Sequence, residues 1–207
     1  MEGVGAVARS LYIHVPFCFH KCHYCDFYSF VDARDQQDAF VDALLAELRF
    51  LGAFCDRLET VFVGGGTPSL LRTDLWERVL EGLHGAFSLA AGAEFTVECN
   101  PETVTPELVR TLAGGGVNRV SMGAQSFDAR HLKTLERWHE PASVARALAM
   151  CAEGGIARRS IDLIYAIPGQ TMDDCARDLD IALGLPIEHI SCYALTYEPN
   201  TPMTARL

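Results

Sequence analysis

Three cysteines, Cys18, Cys22 and Cys25, follow directly on a short apolar stretch and constrain this chain more than any other feature. Residues 11–15 read as a strand, and Pro16 ends it, because proline cannot donate to a ladder and restricts the residue before it. The thiols are therefore predicted to lie on a loop at the carboxyl end of a strand. Thiolates are the usual protein ligands of iron in iron–sulfur clusters. A four-iron cluster held by three cysteines keeps one iron open to a further ligand, as catalytic zinc sites keep one position open.

A structural zinc site is the competing interpretation. His14, His20 and His23 lie among the cysteines, and three Cys with one His is a common zinc ligand set. Zinc-binding cysteines more often come in C-x2-C pairs, so the spacing favours a cluster. Chance clustering of core cysteines is disfavoured, because the loop is short and too polar to be buried. No chemistry is assigned to the five scattered cysteines, Cys55, Cys99, Cys151, Cys175 and Cys192.

Length and charge exclude several classes of protein. The 207 residues suffice for one domain with a substantial core, which we expect to span 1–207. No apolar run approaches the roughly 18 residues of a membrane span, and residues 1–10 lack the apolar core of a secretory signal. We therefore expect a cytoplasmic protein with reduced thiols. The net charge of −10, without a basic cluster, argues against nucleic acid as a partner.

Strand-like and helical stretches alternate along the whole chain, which predicts an α/β fold with a parallel sheet and right-handed crossovers. Helix starts are expected at Thr73 or Asp74, at Thr105 as a hydroxyl cap before proline, and at Thr171 as a capping box. In such folds the functional site lies at the carboxyl ends of the strands. The predicted strands are residues 11–15, 60–63, 94–99, 117–122, 160–167 and 189–195.

Residues with chemical potential collect at those strand ends, but each has a simpler interpretation. The glycines at 64–66 suit close approach of a ligand or a tight turn alone. Glu98 can accept hydrogen bonds from sugar hydroxyls or be a solvated acid. Arg137 can grip a carboxylate or be a surface arginine beside Glu136. Asp162 interrupts an apolar run, and a buried carboxylate needs partners.

The assembled motifs are not generic. The stretch from Tyr12 to Cys18 (YIHVPFC), with Cys22 and Cys25, resembles the radical S-adenosylmethionine (SAM) superfamily. More closely, it is similar to the oxygen-independent coproporphyrinogen III oxidase family, in particular its heme chaperone branch. The similarity covers nearly the whole chain, through ordered motifs at residues 64–68, 98–101, 118–121, 125–127, 132–135, 137–139, 162–165, 168–171 and 189–191.

The resemblance implies a partial (β/α)6 radical SAM barrel. It implies a [4Fe–4S] cluster on Cys18, Cys22 and Cys25, with SAM chelating the open iron and being cleaved by an electron from the cluster. By position, Gly65, Gly66 and Thr67 would meet the methionine part of SAM, and Glu98 its amino or hydroxyl groups. The remaining residues implied for the SAM pocket or its surroundings are Gln125, Arg137, Asp162, Tyr12, Tyr24 and Thr196. For the two tyrosines, base stacking competes with simple packing.

The resemblance implies heme as a further ligand, a heme-acceptor protein and an electron donor as partners. The oxidase carries an additional cysteine where this chain has Phe27, and Asp26–Phe27 resembles the chaperone group. Two alternatives stay open: a coproporphyrinogen oxidase that decarboxylates propionates, and a zinc-stabilised domain without redox chemistry. Whether the chain is an enzyme is therefore left open.

Two departures from the family pattern are mild. Ala166 stands where the family usually has glycine, and Ala124 where it prefers valine. Family members also continue past the position of Leu207 into a region that supplies much of the substrate or heme contact. We therefore expect this chain to lack that region.

Overall fold

One fully parallel sheet of six strands organises the residues that this computed structural model describes, which are 8–31, 35–55 and 57–206. The strand order is β1-β4-β5-β6-β7-β8. A separate pair of two-residue strands, β2 and β3, flanks residues 19–29, which we call the cysteine loop. The strands are β1 Ser10–Val15, β2 Phe17–Cys18, β3 Phe30–Val31, β4 Arg57–Gly65, β5 Ser88–Cys99, β6 Arg119–Gln125, β7 Arg158–Tyr165 and β8 His189–Ala194. The predicted parallel α/β fold is confirmed. Cys18 belongs to the short strand β2 rather than to the loop itself.

In the part of the chain that the structure describes, six α-helices connect the strands: α1 Gln37–Gly52, α2 Thr73–Ala86, α3 Pro106–Gly114, α4 Ala129–Thr134, α5 Pro141–Glu153 and α6 Met172–Leu183. Two predicted caps are confirmed. The Thr105 hydroxyl accepts from the Leu108 N–H at 3.1 Å, and Thr171 forms a capping box with Asp174. The predicted cap of α2 is wrong: Thr73 is already helical, and Arg72, at the cap position, makes no capping hydrogen bond.

The main core lies between the sheet and the helices. Val61, Val63, Val97 and Val120 of the inner strands are almost fully buried, as expected for parallel strands covered by helices. β8 differs, because it ends the strand order and four of its six side chains are exposed. β1 ends the order on the other side, so the sheet does not close into a complete barrel.

A second, smaller apolar cluster lies apart from the main core, and we call it the mouth cluster. Tyr24 of the cysteine loop packs against it. Its buried members are Leu135, Ile164, Ile167, Leu195 and Met203. Leu135, Ile164, Ile167 and Leu195 lie at or close to the ends of α4, β7 and β8, and Met203 directly precedes a short 3-10 helix, Thr204–Arg206. This cluster therefore joins loops at the carboxyl end of the sheet. Within the described residues, no helix combines the length and apolarity needed to cross a bilayer.

Candidate functional site

The cysteine loop is braced by its own polar groups. Cys18 and Cys22 are buried and Cys25 is half-buried, and all three are free thiols. The Cys25 N–H donates to the Cys22 carbonyl at 3.1 Å, which forms a tight turn between these two ligand candidates. Lys21 donates to the carbonyls of Phe27 and Ser29 at 3.2 Å. The loop therefore holds its shape through contacts that leave the sulfurs unused.

The spacing of the thiols argues against a single zinc ion. Zn–S bonds of about 2.3 Å put the sulfurs of a tetrahedral site about 3.8 Å apart. In the described part of the chain, one group of three metal-ligand side chains lies within 4.8 Å, and it is Asp128, His131 and Asp174 rather than the cysteines. Both of those carboxylates are already paired with arginines, Asp128 with Arg130 and Asp174 with Arg130 and Arg177. The three cysteine sulfurs do not form such a group in the described residues.

The glycines at the end of β4 are needed for close packing. A Cβ on Gly64 would lie 2.8 Å from Glu98 Oε2, and one on Gly66 would lie 2.6 Å from the Phe17 carbonyl. Gly65 has φ +114° and lies against the ring of His14, so the segment fits without side chains. The N–H groups of Gly65, Gly66 and Thr67 donate to Glu98, Val15 and Phe17 respectively. Contact of residues 65–67 with a cofactor stays a prediction, and these amides are already engaged within the protein.

Two donors from other parts of the chain reach the cysteine sulfurs, Thr67 just after β4 and Arg137 from the loop between α4 and α5. Thr67 Oγ1 lies 3.7 Å from Cys18 Sγ, and Arg137 Nη1 lies 3.8 Å from Cys22 Sγ. Arg137 also donates to the Gly123 carbonyl at 2.8 Å, while its Nε is buried without a hydrogen-bond partner. The interpretation of Arg137 as a surface arginine is therefore wrong, because its guanidinium turns inward to the thiols.

Gln125 is brought to the same place by an irregular strand end. The pairing of β6 with β7 shifts register between Gly123 and Gln125, and Gln125 has φ +64°. A Cβ on Gly123 would lie 2.9 Å from both Gln125 Nε2 and Arg137 Nη2, so these two side chains converge over one glycine.

Two carboxylates face this region from half-buried positions. Burial raises the pKa of Glu98, although the hydrogen bond from the Gly65 N–H opposes the shift. Burial also raises the pKa of Asp162 against hydrogen bonds from Ser191 and Ser121, and the Ser121 hydroxyl lies 3.2 Å from Asp162 Oδ2. Glu98 is therefore not the freely solvated acid of the simpler interpretation, and Asp162 has the hydrogen-bond partners that a buried carboxylate needs. Both are suited to accept hydrogen bonds from a polar or cationic ligand.

The remaining predicted residues are placed unequally. Burial strongly raises the pKa of Tyr24, which packs on the mouth cluster beside Arg137. Tyr12 is 57% exposed, and its hydroxyl bonds to His14 Nδ1 at 2.9 Å. Thr196 is exposed just beyond β8, and its hydroxyl donates to the Ala194 carbonyl at 3.4 Å. Thr196 makes no described contact with the other residues assigned to the pocket.

Sequence reasoning missed the positioning role of His14, which was considered only as a zinc ligand. Its Nε2 lies 2.7 Å from the Tyr28 carbonyl, and a carbonyl only accepts, so Nε2 carries the proton. Nδ1 is then free to accept from the Tyr12 hydroxyl. His14 thus ties the far end of the cysteine loop to β1. Its position two residues from Tyr12 on a strand, hence on the same face, was the available signal.

His139 was noted only as part of a motif. It is 5% exposed, and neither ring nitrogen has a hydrogen-bond partner. Burial and the nearby Arg137 charge lower the pKa of His139 to about 4. The ring therefore stays neutral beside the guanidinium at physiological pH.

The comparisons with known proteins agree on one superfamily. Residues 12–182 match the radical SAM superfamily. Heme chaperone HemW of Mycobacterium tuberculosis (strain ATCC 25618 / H37Rv) is 40% identical over 202 residues, which is 95% of this chain and 52% of that protein. Heme chaperone HemW of Escherichia coli (strain K12) is 40% identical over 200 residues, covering 95% and 53% of the two chains.

Solved structures give the same picture for the fold. Coproporphyrinogen III oxidase (HemN) from Escherichia coli, described as a radical SAM enzyme, matches with a TM-score of 0.87 and 28% identity, over 95% of this chain and 46% of that one. The methyltransferase TsrM from Kitasatospora setae matches with a TM-score of 0.71 and 15% identity, over 93% and 38%, and supports the fold alone. The chain spans about half the length of the relatives it matches.

Proposed function

This chain belongs to the radical SAM superfamily, and from that premise we propose that Cys18, Cys22 and Cys25 bind a [4Fe–4S] cluster and that the carboxyl ends of the strands bind SAM. When bound, the two cofactors supply one-electron chemistry at the SAM sulfonium. The observation that carries the proposal is the approach of Thr67, just after β4, to the Cys18 sulfur and of Arg137, from the loop between α4 and α5, to the Cys22 sulfur.

The residues present fit these cofactors. Cys18 at the end of β2 and Cys22 and Cys25 in the loop that follows supply three free thiols, which do not form a group within 4.8 Å of one another. The permanently charged guanidinium of Arg137 offsets thiolate charge, and its unpartnered Nε leaves a donor for a ligand carboxylate. Glu98 and Asp162 supply acceptors for the amino and hydroxyl groups of SAM.

The other assignments follow from position. Gly65, Gly66 and Thr67 are proposed to border the methionine part. Gln125 completes the pocket beside Arg137, supported by their convergence over Gly123. Tyr12, Tyr24 and Thr196 surround it. Thr196 has the weakest structural support, because it is exposed and bonded only locally.

For the whole protein, we propose a heme chaperone-like function in the cytoplasm, in which an electron donor serves the cluster and heme passes to an acceptor protein. It is supported by the relatives named heme chaperones at 40% identity. It is also supported by Phe27 at the position where the oxidase has a further cysteine. Coproporphyrinogen oxidation is the second candidate, supported by the structural likeness to HemN.

The cluster assignment is tested by anaerobic reconstitution of the wild type, Cys22→Ala and Cys192→Ala. We expect equal amounts of iron and sulfide and a visible chromophore in the wild type and in the exposed control Cys192→Ala. Cys22→Ala should lose the chromophore but keep its far-UV circular dichroism, because Cys22 lies outside the sheet. Bound zinc without sulfide in the wild type, or no heat of SAM binding to the reconstituted protein, would overturn the proposal.

The two whole-protein functions are separated by chemistry. The reconstituted full-length protein is incubated anaerobically with coproporphyrinogen III, dithionite and SAM, and in parallel is titrated with heme and mixed with an apo-heme protein. The chaperone proposal predicts heme binding and transfer without decarboxylation. Formation of protoporphyrinogen would instead establish the oxidase.

A further inference from the structure

The chain after β8 turns back and reaches the cysteine loop. The Leu195 N–H donates to the Tyr165 carbonyl, and the Met203 N–H donates to the His23 carbonyl at 3.0 Å. Leu195 and Met203 are 9% and 8% exposed and belong to the mouth cluster. We propose that the C-terminal turn, residues 198–205, is a positioning element that holds the cysteine loop in its ligand-binding shape, with Met203 as the residue that transmits the constraint. The purpose of this constraint rests on the proposed function, but the constraint itself does not.

The C-terminal turn is stiffened by its own hydrogen bonds. The Thr201 and Thr204 hydroxyls both donate to the Glu198 carbonyl, at 2.9 and 2.7 Å, and lie 3.1 Å from each other. The Ala205 N–H donates to the Thr201 carbonyl, and Thr201 is 3% exposed. Because these hydrogen bonds order the C-terminal turn, they fix the position of Met203 against the cysteine loop.

The contact falls at the part of the loop that matters for the sulfurs. His23 and Tyr24 are the two residues between Cys22 and Cys25. Met203 holds the backbone of His23 through its N–H, and the mouth cluster holds the side chain of Tyr24. The Cys22–Cys25 turn is thus held in place through the backbone of His23 and through the side chain of Tyr24.

The mouth cluster also links this turn to the loop that carries Arg137. Leu135 is two residues before Arg137, whose guanidinium approaches Cys22. Ile164, two residues after Asp162 in β7, and Ile167, just beyond β7, also belong to the mouth cluster. One small apolar cluster therefore sets the relative position of the thiols, the arginine and the end of β7.

The effect of breaking this contact should be local. The mouth cluster is separate from the main core, which the inner strands and helices form without it. Removing the Met203 side chain leaves a void that neighbouring groups fill only in part. Because small regions open independently of the whole fold, the cysteine loop should open more often while the sheet stays intact.

The test compares Met203→Ala with Met172→Ala, a methionine that is 85% exposed on α6, by amide hydrogen exchange of the metal-free protein. In Met203→Ala we expect amides 19–28 to exchange roughly tenfold faster or more, the scale of a Met→Ala cavity, with β4–β6 unchanged. Met172→Ala should match the wild type, and Met203→Leu, which keeps the volume, should restore slow exchange. Wild-type exchange of residues 19–28 in Met203→Ala would overturn the inference.

A second readout uses the reconstituted protein. In Met203→Ala the iron–sulfur cluster should be lost faster in air, and its reduction potential should differ from that of the wild type and of Met172→Ala. Equal loss rates and potentials in the three proteins would also count against the inference. If Met203→Ala fails to fold by circular dichroism, Thr201→Ala takes its place, because it loosens the C-terminal turn without changing a residue of the mouth cluster. A wild type without a cluster would refute the proposed function, whereas the exchange experiment would still decide the role of the turn.

Discussion

At the residue scale, two positions with a strained backbone lie at strand ends near the proposed site. Gln125, the last residue of β6, and Ala166, the residue after β7, have φ of +64° and +62°. This left-handed region costs an L-residue roughly 1–2 kcal/mol, and such strain is often kept at functional sites. For Gln125 the strain accompanies a side chain that converges with Arg137. Ala166 is exposed and shows no comparable gain, which explains physically why glycine suits this position.

Ala166→Gly should therefore stabilise the protein. Relief of the left-handed strain, less the extra chain entropy of glycine, leaves a gain of about 0.5–1 kcal/mol in the free energy of unfolding. Urea denaturation measures it. Ala53→Gly, at an ordinary φ of −70°, is the matched control and should destabilise. A loss of stability in Ala166→Gly would contradict the strain argument.

His139 should make stability depend on pH. The unfolded chain binds a proton at this histidine below about 6.5, whereas the native protein does so only near its lowered pKa of about 4. The unfolded state therefore holds more protons between these values, and stability falls as the pH drops through this window, by about 3 kcal/mol in total. His139→Leu, which keeps the ring site apolar, should flatten the dependence of unfolding free energy on pH between 4 and 6.5. An unchanged slope would refute this.

At the element scale, α6 anchors the segment that leads from Gln125 to Arg137. Asp178 accepts from the Ser126 hydroxyl and the Phe127 N–H, both at 2.7 Å. The Thr171 capping box at the start of α6 was predictable, because its residues lie within three positions of one another. The Asp178 contact was not, since it joins residues 51 and 52 apart that only the folded sheet brings together.

Removing the Asp178 carboxylate should loosen this anchor. Asp178→Ala leaves the Ser126 hydroxyl and the Phe127 N–H without their buried acceptor, which costs about 2–3 kcal/mol of unfolding free energy. Asp180→Ala, at an exposed position on the same helix, should stay within about 0.5 kcal/mol of the wild type. Chemical denaturation of the two variants decides it. Equal stabilities would show that the Asp178 contacts are not important.

At the scale of the whole molecule, the alternation of strands and helices was enough to predict the parallel sheet, and it places the proposed site at the carboxyl ends of the strands. The repeating pattern is local, so it survives without knowledge of contacts. The burial of Arg137 was not predictable, because beside Glu136 it has the pattern of a surface residue. The return of Met203 to His23 was also invisible, since it depends on a contact across 180 residues.

Among the described residues, β8 is an edge strand of the open sheet, and in this chain the edge should promote self-association. Such edges offer free backbone groups to other chains, and lysine is a natural deterrent. Tyr193 on β8 is 58% exposed, so Tyr193→Lys should lower the fraction of oligomer seen by light scattering at high protein concentration. Phe50→Lys, which removes a 65% exposed aromatic side chain from α1, is the control. An equal reduction by both variants would point to general hydrophobicity rather than to the edge.

The backbone of residues 65–67 is already fastened to Glu98, Val15 and Phe17 before any ligand arrives. A ligand that binds there meets a backbone that is already ordered, so the protein loses little conformational entropy on binding. Ligand binding to residues 65–67 should therefore be fast and need little induced fit. Slower conformational steps are expected in the loops at the carboxyl end of the sheet that have fewer hydrogen bonds.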